Sequence, residues 1–287
     1  MNKIILALGY FDSIHIGHRK IIEKTVELSK KFGVQPALFS FDGDLAKFLG
    51  KPCGQVFTKS EKEEILHGLG IDFLVYAPIT KEYLSLSKNE FLEQLNAKYD
   101  IVGYVCGDDF TFGAKAQGNT DDLSNYSITH NQFLEVISEV SYDSLRVSTT
   151  RIKELLSLGK IIEVNKLLDS DYFISGKVIS GRGDGSKIGL PTANISFAEE
   201  KYKIKSGVYG GYVYIDDVKY KTVINYGIAP TFNFDKTVLE TYVIGYNGDL
   251  YGKDITLYFT CYLRDIVKFS SKDELVSQIK KDINSLW

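Results

Sequence analysis

Two histidines three residues apart, His15 and His18, stand in the run Gly9-Tyr10-Phe11-Asp12-Ser13-Ile14-His15-Ile16-Gly17-His18. The run follows a short apolar segment and opens an amphipathic one, so it reads as a turn from a buried strand into a helix. At such a place the first N–H groups of the helix and its positive end attract phosphate. Gly9 and Gly17 leave room for the backbone to approach a ligand. The imidazoles of His15 and His18 suit hydrogen bonding to a triphosphate and stabilising the charge on a departing pyrophosphate. Such a transfer needs no covalent intermediate, since positioning and electrostatics suffice. The same histidines also suit a partly buried core beside a turn, and a short motif does not choose between the two. A metal site would need ligands from a further His or Cys cluster, which the sequence lacks.

Two later segments have the same setting. Val105-Cys106-Gly107-Asp108-Asp109-Phe110-Thr111-Phe112-Gly113 follows a strand pattern. Val147-Ser148-Thr149-Thr150-Arg151-Ile152-Lys153 opens a helical one, where Ser148 and Thr149 are good capping types and Arg151 adds a planar phosphate binder. A plain turn and a plainly capped helix are the alternatives. Further on, Gly176 to Asn194 is dense in glycine and ends Gly189-Leu190-Pro191-Thr192-Ala193-Asn194. Its backbone amides could wrap phosphate, although the Gly-Lys-Ser/Thr ending of a P-loop is missing. Thr192 and Asn194 are oxygen donors two apart, on one side of an extended segment, and suit Mg²⁺ bridged to ATP phosphates. A hairpin turn before a strand is the alternative there.

The elements that would carry these groups divide into two kinds. Up to about residue 169, short apolar runs (Ile4–Leu8, 34–41, Asp72–Tyr76, Ile101–Cys106) alternate with helical patterns (Gly17–Phe32, Lys59–Leu69, Lys88–Leu95). Such alternation predicts an α/β domain, a Rossmann-like parallel sheet covered by helices on both faces. Two short helices, Thr150–Leu158 and Ile161–Leu168, close this part. From residue 170 the chain offers β-branched and aromatic runs between Gly, Asp and Asn turns, as in a small antiparallel barrel or sandwich, and then a final helix near Lys272–Ile283. The expected domains are 1–169 and 170–287.

At 287 residues the chain has the length of two domains. A net charge of −3 gives no global field for a nucleic-acid backbone. Cys53, Cys106 and Cys261 are scattered and form no C-x-x-C, against a disulfide framework and in keeping with a reducing compartment. The Ile4–Leu8 run is too short for a signal-peptide core, and no stretch approaches the roughly 20 apolar residues of a spanning helix. The expectation is a soluble cytoplasmic protein with neither membrane nor nucleic acid as partner.

The three N-terminal segments, in this order, resemble the nucleotidylyltransferase domain of prokaryotic FAD synthetases. The Pro191-Thr192-Ala193-Asn194 segment resembles the signature of riboflavin kinases, and Gly207-Val208-Tyr209, Asn225-Tyr226-Gly227, Leu239-Glu240, Asp249-Leu250-Tyr251-Gly252, Leu263-Arg264 and Phe269 follow that family's order. The resemblance implies a C-terminal six-stranded Greek-key β-barrel. It implies ATP binding by Gly9, Phe11, Asp12, Gly17, His15, His18, Ser148, Thr149 and Arg151, with Asp109 and Phe110 at the flavin. In the barrel it implies ATP binding by Gly181, Gly189, Pro191, Thr192 and Asn194, Mg²⁺ on Thr192 and Asn194, and Glu240 as general base. The implied chemistry uses riboflavin, FMN and ATP as small-molecule substrates: riboflavin is phosphorylated to FMN, and FMN is adenylylated to FAD with release of pyrophosphate. The chain departs from the family pattern at 39–44, which lacks two prolines, and at Lys153, Ser186, Tyr242 and Gly245. Two narrower readings use the same residues: one activity retained, with adenylyltransfer lost, or a flavin- or nucleotide-binding regulator without turnover.

Overall fold

The computed structural model describes residues 3–50, 54–181, 191–228 and 237–286. The chain divides into two compact units, Met1–Thr149 and Thr150–Trp287. In the first unit, strands β1 (Lys3–Leu8), β2 (Gln35–Phe41), β3 (Phe73–Ala77), β4 (Asp100–Gly107) and β5 (Phe133–Ile137) alternate with helices. These are α1 (Ile16–Phe32), α2 (Leu45–Phe48), α3 (Lys59–Gly68), α4 (Lys81–Leu84), α5 (Lys88–Lys98) and α6 (Thr120–Thr129). A small antiparallel ribbon, β6 (Ser141–Tyr142) and β7 (Leu145–Arg146), precedes α7 (Thr149–Ser157).

The five long strands are parallel, in the order β3-β2-β1-β4-β5. Successive side chains of a strand point to opposite faces, and β1 feeds two cores. Ile4, Leu6 and Leu8 join Phe39, Phe91, Leu92, Leu95 and Leu123, whereas Ile5 and Ala7 join Ile21, Ile22, Leu28, Leu38 and Leu66. Burial on both faces is why this strand is an unbroken apolar run in the sequence. Reciprocal caps start three helices: Thr58 with Glu61 at α3, Ser87 with Glu90 at α5, and Asn119 with Asp122 at α6. The expected strands and helices are present with shifted ends. Strand β5 and helix α6 were not anticipated, because β5 is a half-buried edge strand without a clean period. Where the two prolines are missing, Asp44 caps the short α2 and Asp42 pairs with Lys59 at 2.7 Å.

The second unit contains most of α7, then α8 (Ile161–Leu168), strands β8 (Tyr172–Ile179), β9 (Ala193–Phe197), β10 (Gly207–Ile215), β11 (Val218–Ile228), β12 (Thr237–Val243) and β13 (Asp254–Arg264), and α9 (Lys272–Asn284). The strands close into a barrel in the order β10-β11-β12-β9-β8-β13. Strands β10, β11 and β12 are consecutive neighbours and β13 returns beside β10, which is the Greek-key order. The sequence left barrel and sandwich open, and closure decides for the barrel. Buried aromatic rings, among them Tyr172, Tyr209, Tyr226 and Phe259, fill it. Strand β9 escaped the sequence reading because its five residues follow a proline and only Ile195 is buried.

The expected boundary at residues 169 and 170 lies beyond α8, whereas the compact units divide at Thr149 and Thr150. Helix α8 buries Ile161, Val164, Leu167 and Leu168 and packs on β8 and β13. Its Asn165 donates to Asp171 Oδ1 at 2.7 Å and to the Phe259 carbonyl at 2.9 Å, and accepts from Tyr172 N at 2.9 Å. Amphipathic pattern alone does not say which neighbour covers the apolar stripe. Cys106 is a buried free thiol and Cys261 a half-buried one, while Cys53 lies outside the described residues.

Helix α9 is fastened through a paired carboxylate. Arg264 donates from Nε to Asp282 Oδ1 at 3.0 Å and from Nη2 to Oδ2 at 2.8 Å, and Gln278 donates to Oδ1 at 2.9 Å. Asp282 is only 4% exposed. Removing one member of a buried pair strands the other charge. Asp282→Ala is expected to destabilise the second unit by about 3 kcal/mol, read from the midpoint of urea unfolding. An unchanged midpoint would show that α9 does not depend on the pair.

Candidate active sites

In an open parallel sheet, ligands gather at the carboxyl ends of neighbouring strands whose onward connections run in opposite directions. Here that point lies between β1 and β4, where Leu8, the last residue of β1, pairs with Cys106, the last but one of β4. It brings the turn after β1 beside the turn after β4.

The turn after β1 is tightly held. Phe11 and Ile14 have φ of 49° and 44° and are buried. Bulky residues rarely adopt this left-handed backbone, so the surroundings must enforce it. Ser40 Oγ donates to the Tyr10 carbonyl at 2.7 Å, and Val56 N donates to Asp12 Oδ1 at 2.9 Å. The hydroxyls of Ser13 and Thr149 lie 2.9 Å apart, joining the first and third sequence motifs.

His15 ends the turn as the N-cap of α1, its Nδ1 accepting from His18 N at 3.2 Å. With Nδ1 as acceptor, the neutral ring carries its proton on Nε2. The two imidazoles stack with centroids 3.8 Å apart at 11°, and the Phe11 ring lies 5.0 Å from that of His18. Burial pushes the His15 pKa down to about 4. Burial, and then the neighbouring His15, push His18 well below its ordinary value. At neutral pH both rings are therefore uncharged N–H donors rather than cations.

Beside them opens a cleft of about 200 Å³, lined by His15, Gly17, His18, Gly107, Asp108, Asp109, Ser138, Glu139, Arg146, Ser148 and Thr149, with Ile21, Ile137, Val140 and Val147. A Cβ on Gly17 would stand 3.1 Å from the His15 ring, so glycine there keeps the imidazole in place. Of the expected residues, His15, His18, Gly17, Asp109, Ser148 and Thr149 come together at this cleft. Four others, and Arg151, do not line it. Phe11 and Asp12 are fully buried, Gly9 makes room for the Phe11 ring (a Cβ would approach it to 2.8 Å), and Phe110 stacks on Phe112 at 5.6 Å. Arg151 stands two residues beyond Thr149 in α7, and Lys153 Nζ lies 5.6 Å over the Tyr202 ring. Sequence reasoning missed Glu139 and Arg146. Arg146 Nη2 donates to Asp109 Oδ2, and its Nε lies 3.1 Å from Glu139 Oε2. Two-residue strands have no period to read, and the one available signal was a basic residue just before Val147-Ser148.

In the barrel, β12 pairs with β9 so that Glu240 faces Asn194, and with β11 so that Glu240 faces Asn225. Directly opposed residues share a face. Asn194, Glu240 and Asn225 therefore form one row, turned away from the buried Leu239 and Thr241. Thr192 Oγ1 donates to Glu240 Oε1. Gly181 lies against the Asn194 amide, where any Cβ would collide with Nδ2. Pro191 is exposed just before Thr192. Gly189 and Ser186 lie outside the described residues. Tyr242 follows Glu240 on the same face, and Gly245 turns the chain out of β12 at φ 78°. Among the described residues no cluster of three or more His, Cys, Asp or Glu could hold a metal ion. The donors here are a hydroxyl, an amide and a carboxylate, the oxygen set that Mg²⁺ accepts with substrate phosphates completing its shell.

A doubly covered parallel sheet with a histidine cleft at its switch point, joined to a closed barrel with a Thr-Asn-Glu cluster, defines a two-unit protein built to handle phosphoryl groups twice. Residues 1–151 match the family described as FAD synthetase, and residues 168–286 match that described as riboflavin kinase. A bifunctional riboflavin kinase/FMN adenylyltransferase of Buchnera aphidicola from Schizaphis graminum is 30% identical over 97% of this chain and 91% of its own. The protein of the same name from Listeria monocytogenes is 28% identical over 98% and 90%. A crystal structure of a Streptococcus pneumoniae protein named macrolide-efflux protein superposes with a TM-score of 0.90 at 28% identity, covering 99% of this chain and 93% of that one. Among the described residues, no helix here is long and apolar enough to cross a membrane. The chain belongs to the bifunctional riboflavin kinase/FMN adenylyltransferase family.

The depressed histidine has a pH signature. Between its ordinary value of 6.5 and about 4, the unfolded chain binds a proton at His15 that the folded chain refuses. Stability is thus complete above about pH 6.5 and falls as pH drops toward 4. His15→Gln is expected to flatten this acid slope in thermal unfolding followed from pH 7 to 4. An equal slope in variant and parent would contradict the buried neutral imidazole.

Proposed function

We propose that the second unit phosphorylates riboflavin to FMN and that the first unit adenylylates FMN to FAD, each with ATP. The observation that carries this reading is that residues far apart in sequence converge twice. His15 and His18 meet Asp109, Ser148 and Thr149 at one cleft, and Thr192 and Asn194 meet Glu240 on one barrel face.

In the barrel, the terminal ribityl hydroxyl attacks the γ-phosphorus of ATP. A new P–O bond forms, the bond to the β-phosphate oxygen breaks, and ADP leaves. Glu240 takes the hydroxyl proton. Thr192, through its hydrogen bond to Oε1, orients that carboxylate. Thr192 and Asn194 are the residues that would hold Mg²⁺, which would supply positive charge against the phosphates.

In the sheet unit, a phosphate oxygen of FMN attacks the α-phosphorus of a second ATP. The α–β P–O bond breaks and pyrophosphate departs. Nε2–H of His15 and the buried His18 supply neutral donors to the charge that gathers on the leaving group. Ser148, Thr149 and Arg151, at the start of α7, bind phosphate oxygens. Asp109 borders the flavin side of the cleft, and Gly9, Phe11, Asp12 and Phe110 support its walls. ATP, riboflavin and FMN are the partners of this reading, in the cytoplasm.

Riboflavin and Mg-ATP incubated with the protein should yield FMN and then FAD by chromatography. Glu240→Gln is expected to lower FMN formation by about 100-fold or more while FAD still forms from supplied FMN. His18→Ala is expected to lower FAD formation by about 100-fold and spare FMN formation. Loss of both activities from either change, in a folded protein, would overturn independent sites. FMN without FAD from the unaltered protein would leave a kinase alone.

A further inference from the structure

The row of side chains that holds Glu240 continues across the barrel. Asn194 faces Glu240, Glu240 faces Asn225, Asn225 faces Val208 and Val208 faces Arg264, from β9 through β12, β11 and β10 to β13. Directly opposed residues share a face. Ile224 and Tyr226, on either side of Asn225, are 0% and 2% exposed. They fill the barrel, so Asn225 points outward with Glu240.

Polarity changes along this row. Thr192 and Asn194 stand at one end, beside the Glu240 carboxylate. The Asn225 amide comes next. Val208 is buried and ends the polar stretch, and Arg264 beyond it is committed to Asp282. Beside Asn225 on the same face, Ile266 lies against Gly227. Riboflavin has its groups in the same order: a terminal hydroxyl, further hydroxyls along the ribityl chain, then an apolar ring.

Asn225 is half-buried, and among the described residues its amide makes no hydrogen bond. Amides drawn out of water are ordinarily paired. One strand spacing, about 5 Å, separates Asn225 from Glu240, and the hydroxyls next to one held at Glu240 lie within that reach. An amide both donates and accepts, so it can match a hydroxyl in either sense.

We propose that Asn225 binds an inner hydroxyl of the ribityl chain and so selects flavins that carry a polyol, while Glu240 meets the terminal hydroxyl. The proposal rests on reading this barrel face as the site of riboflavin phosphorylation.

The test compares the full-length protein with Asn225→Ala and Asn225→Ser on two acceptors. One is riboflavin. The other is a flavin with an ω-hydroxypentyl side chain, which keeps the terminal hydroxyl and lacks the inner ones. Asn225→Ala should lower kcat/KM for riboflavin about tenfold and leave the hydroxypentyl flavin within about twofold of the unaltered protein. Asn225→Ser, which keeps a shorter donor and acceptor, should recover part of the loss. A residue that only props the Glu240 carboxylate would lower both acceptors equally, and that result overturns the proposal, as does no loss with either. Calorimetric titration with riboflavin reads the same contact without turnover. Binding weakened about tenfold in Asn225→Ala supports the assignment; equal affinity, or no riboflavin bound by the unaltered protein, refutes it. Riboflavin bound but not phosphorylated by the unaltered protein would count against the kinase reading instead. The thermal unfolding midpoint of each variant reports that its barrel is folded.

Discussion

The left-handed turn between β1 and α1 is the constraint on which the first site depends. Phe11 and Ile14 hold φ values that neither side chain favours, and they do so because both are buried. The Phe11 ring fills the space that Gly9 leaves open and lies beside His18. Asp12, facing inward to Val56 N, ties the turn to the segment before α3. Strain of this kind persists only where packing over-determines it. Its result is a histidine pair that stacks, caps α1 and presents one face to the cleft. Loosening any of these contacts would free both rings together.

The second site rests on register instead of strain. A strand slip of one residue would turn Glu240 inward and Leu239 outward. The buried Leu239, Thr241 and Val243 forbid that, and with them the opposition of Glu240 to Asn194 is set. Closure of the barrel leaves no unpaired edge along which β12 could shift. The carboxylate thus sits on a rigid wall, with Thr192 as its hydrogen-bonding neighbour.

The two candidate sites are built from different side-chain chemistry. The cleft of the sheet unit is lined by neutral imidazoles, hydroxyls at a helix start, and Arg146 among carboxylates. The barrel offers oxygen donors suited to a hard cation. The difference follows from the chemistry each transfer asks for. A leaving pyrophosphate is stabilised by donors already in place. A hydroxyl nucleophile needs a base, and its phosphoryl donor needs charge neutralised.

The residues alone carried the kinds of element, the order of the motifs, the change from α/β to all-β, and the identities of His15, His18, Ser148, Thr192 and Asn194 as groups able to do this chemistry, whereas Glu240 came only from the family resemblance. Local propensity, apolar period and capping types report these, because each depends on neighbours a few positions away. Packing between distant segments decided the rest. It brought Ser13 to Thr149, aimed Asp12 and Phe11 inward, set Arg146 between Asp109 and Glu139, assigned α8 to the barrel and closed β12 against a strand that sequence had not revealed. It also lowered the proton affinity of His15 and His18, since that affinity answers to the water an imidazole loses, and that loss exists only once the chain has folded around it.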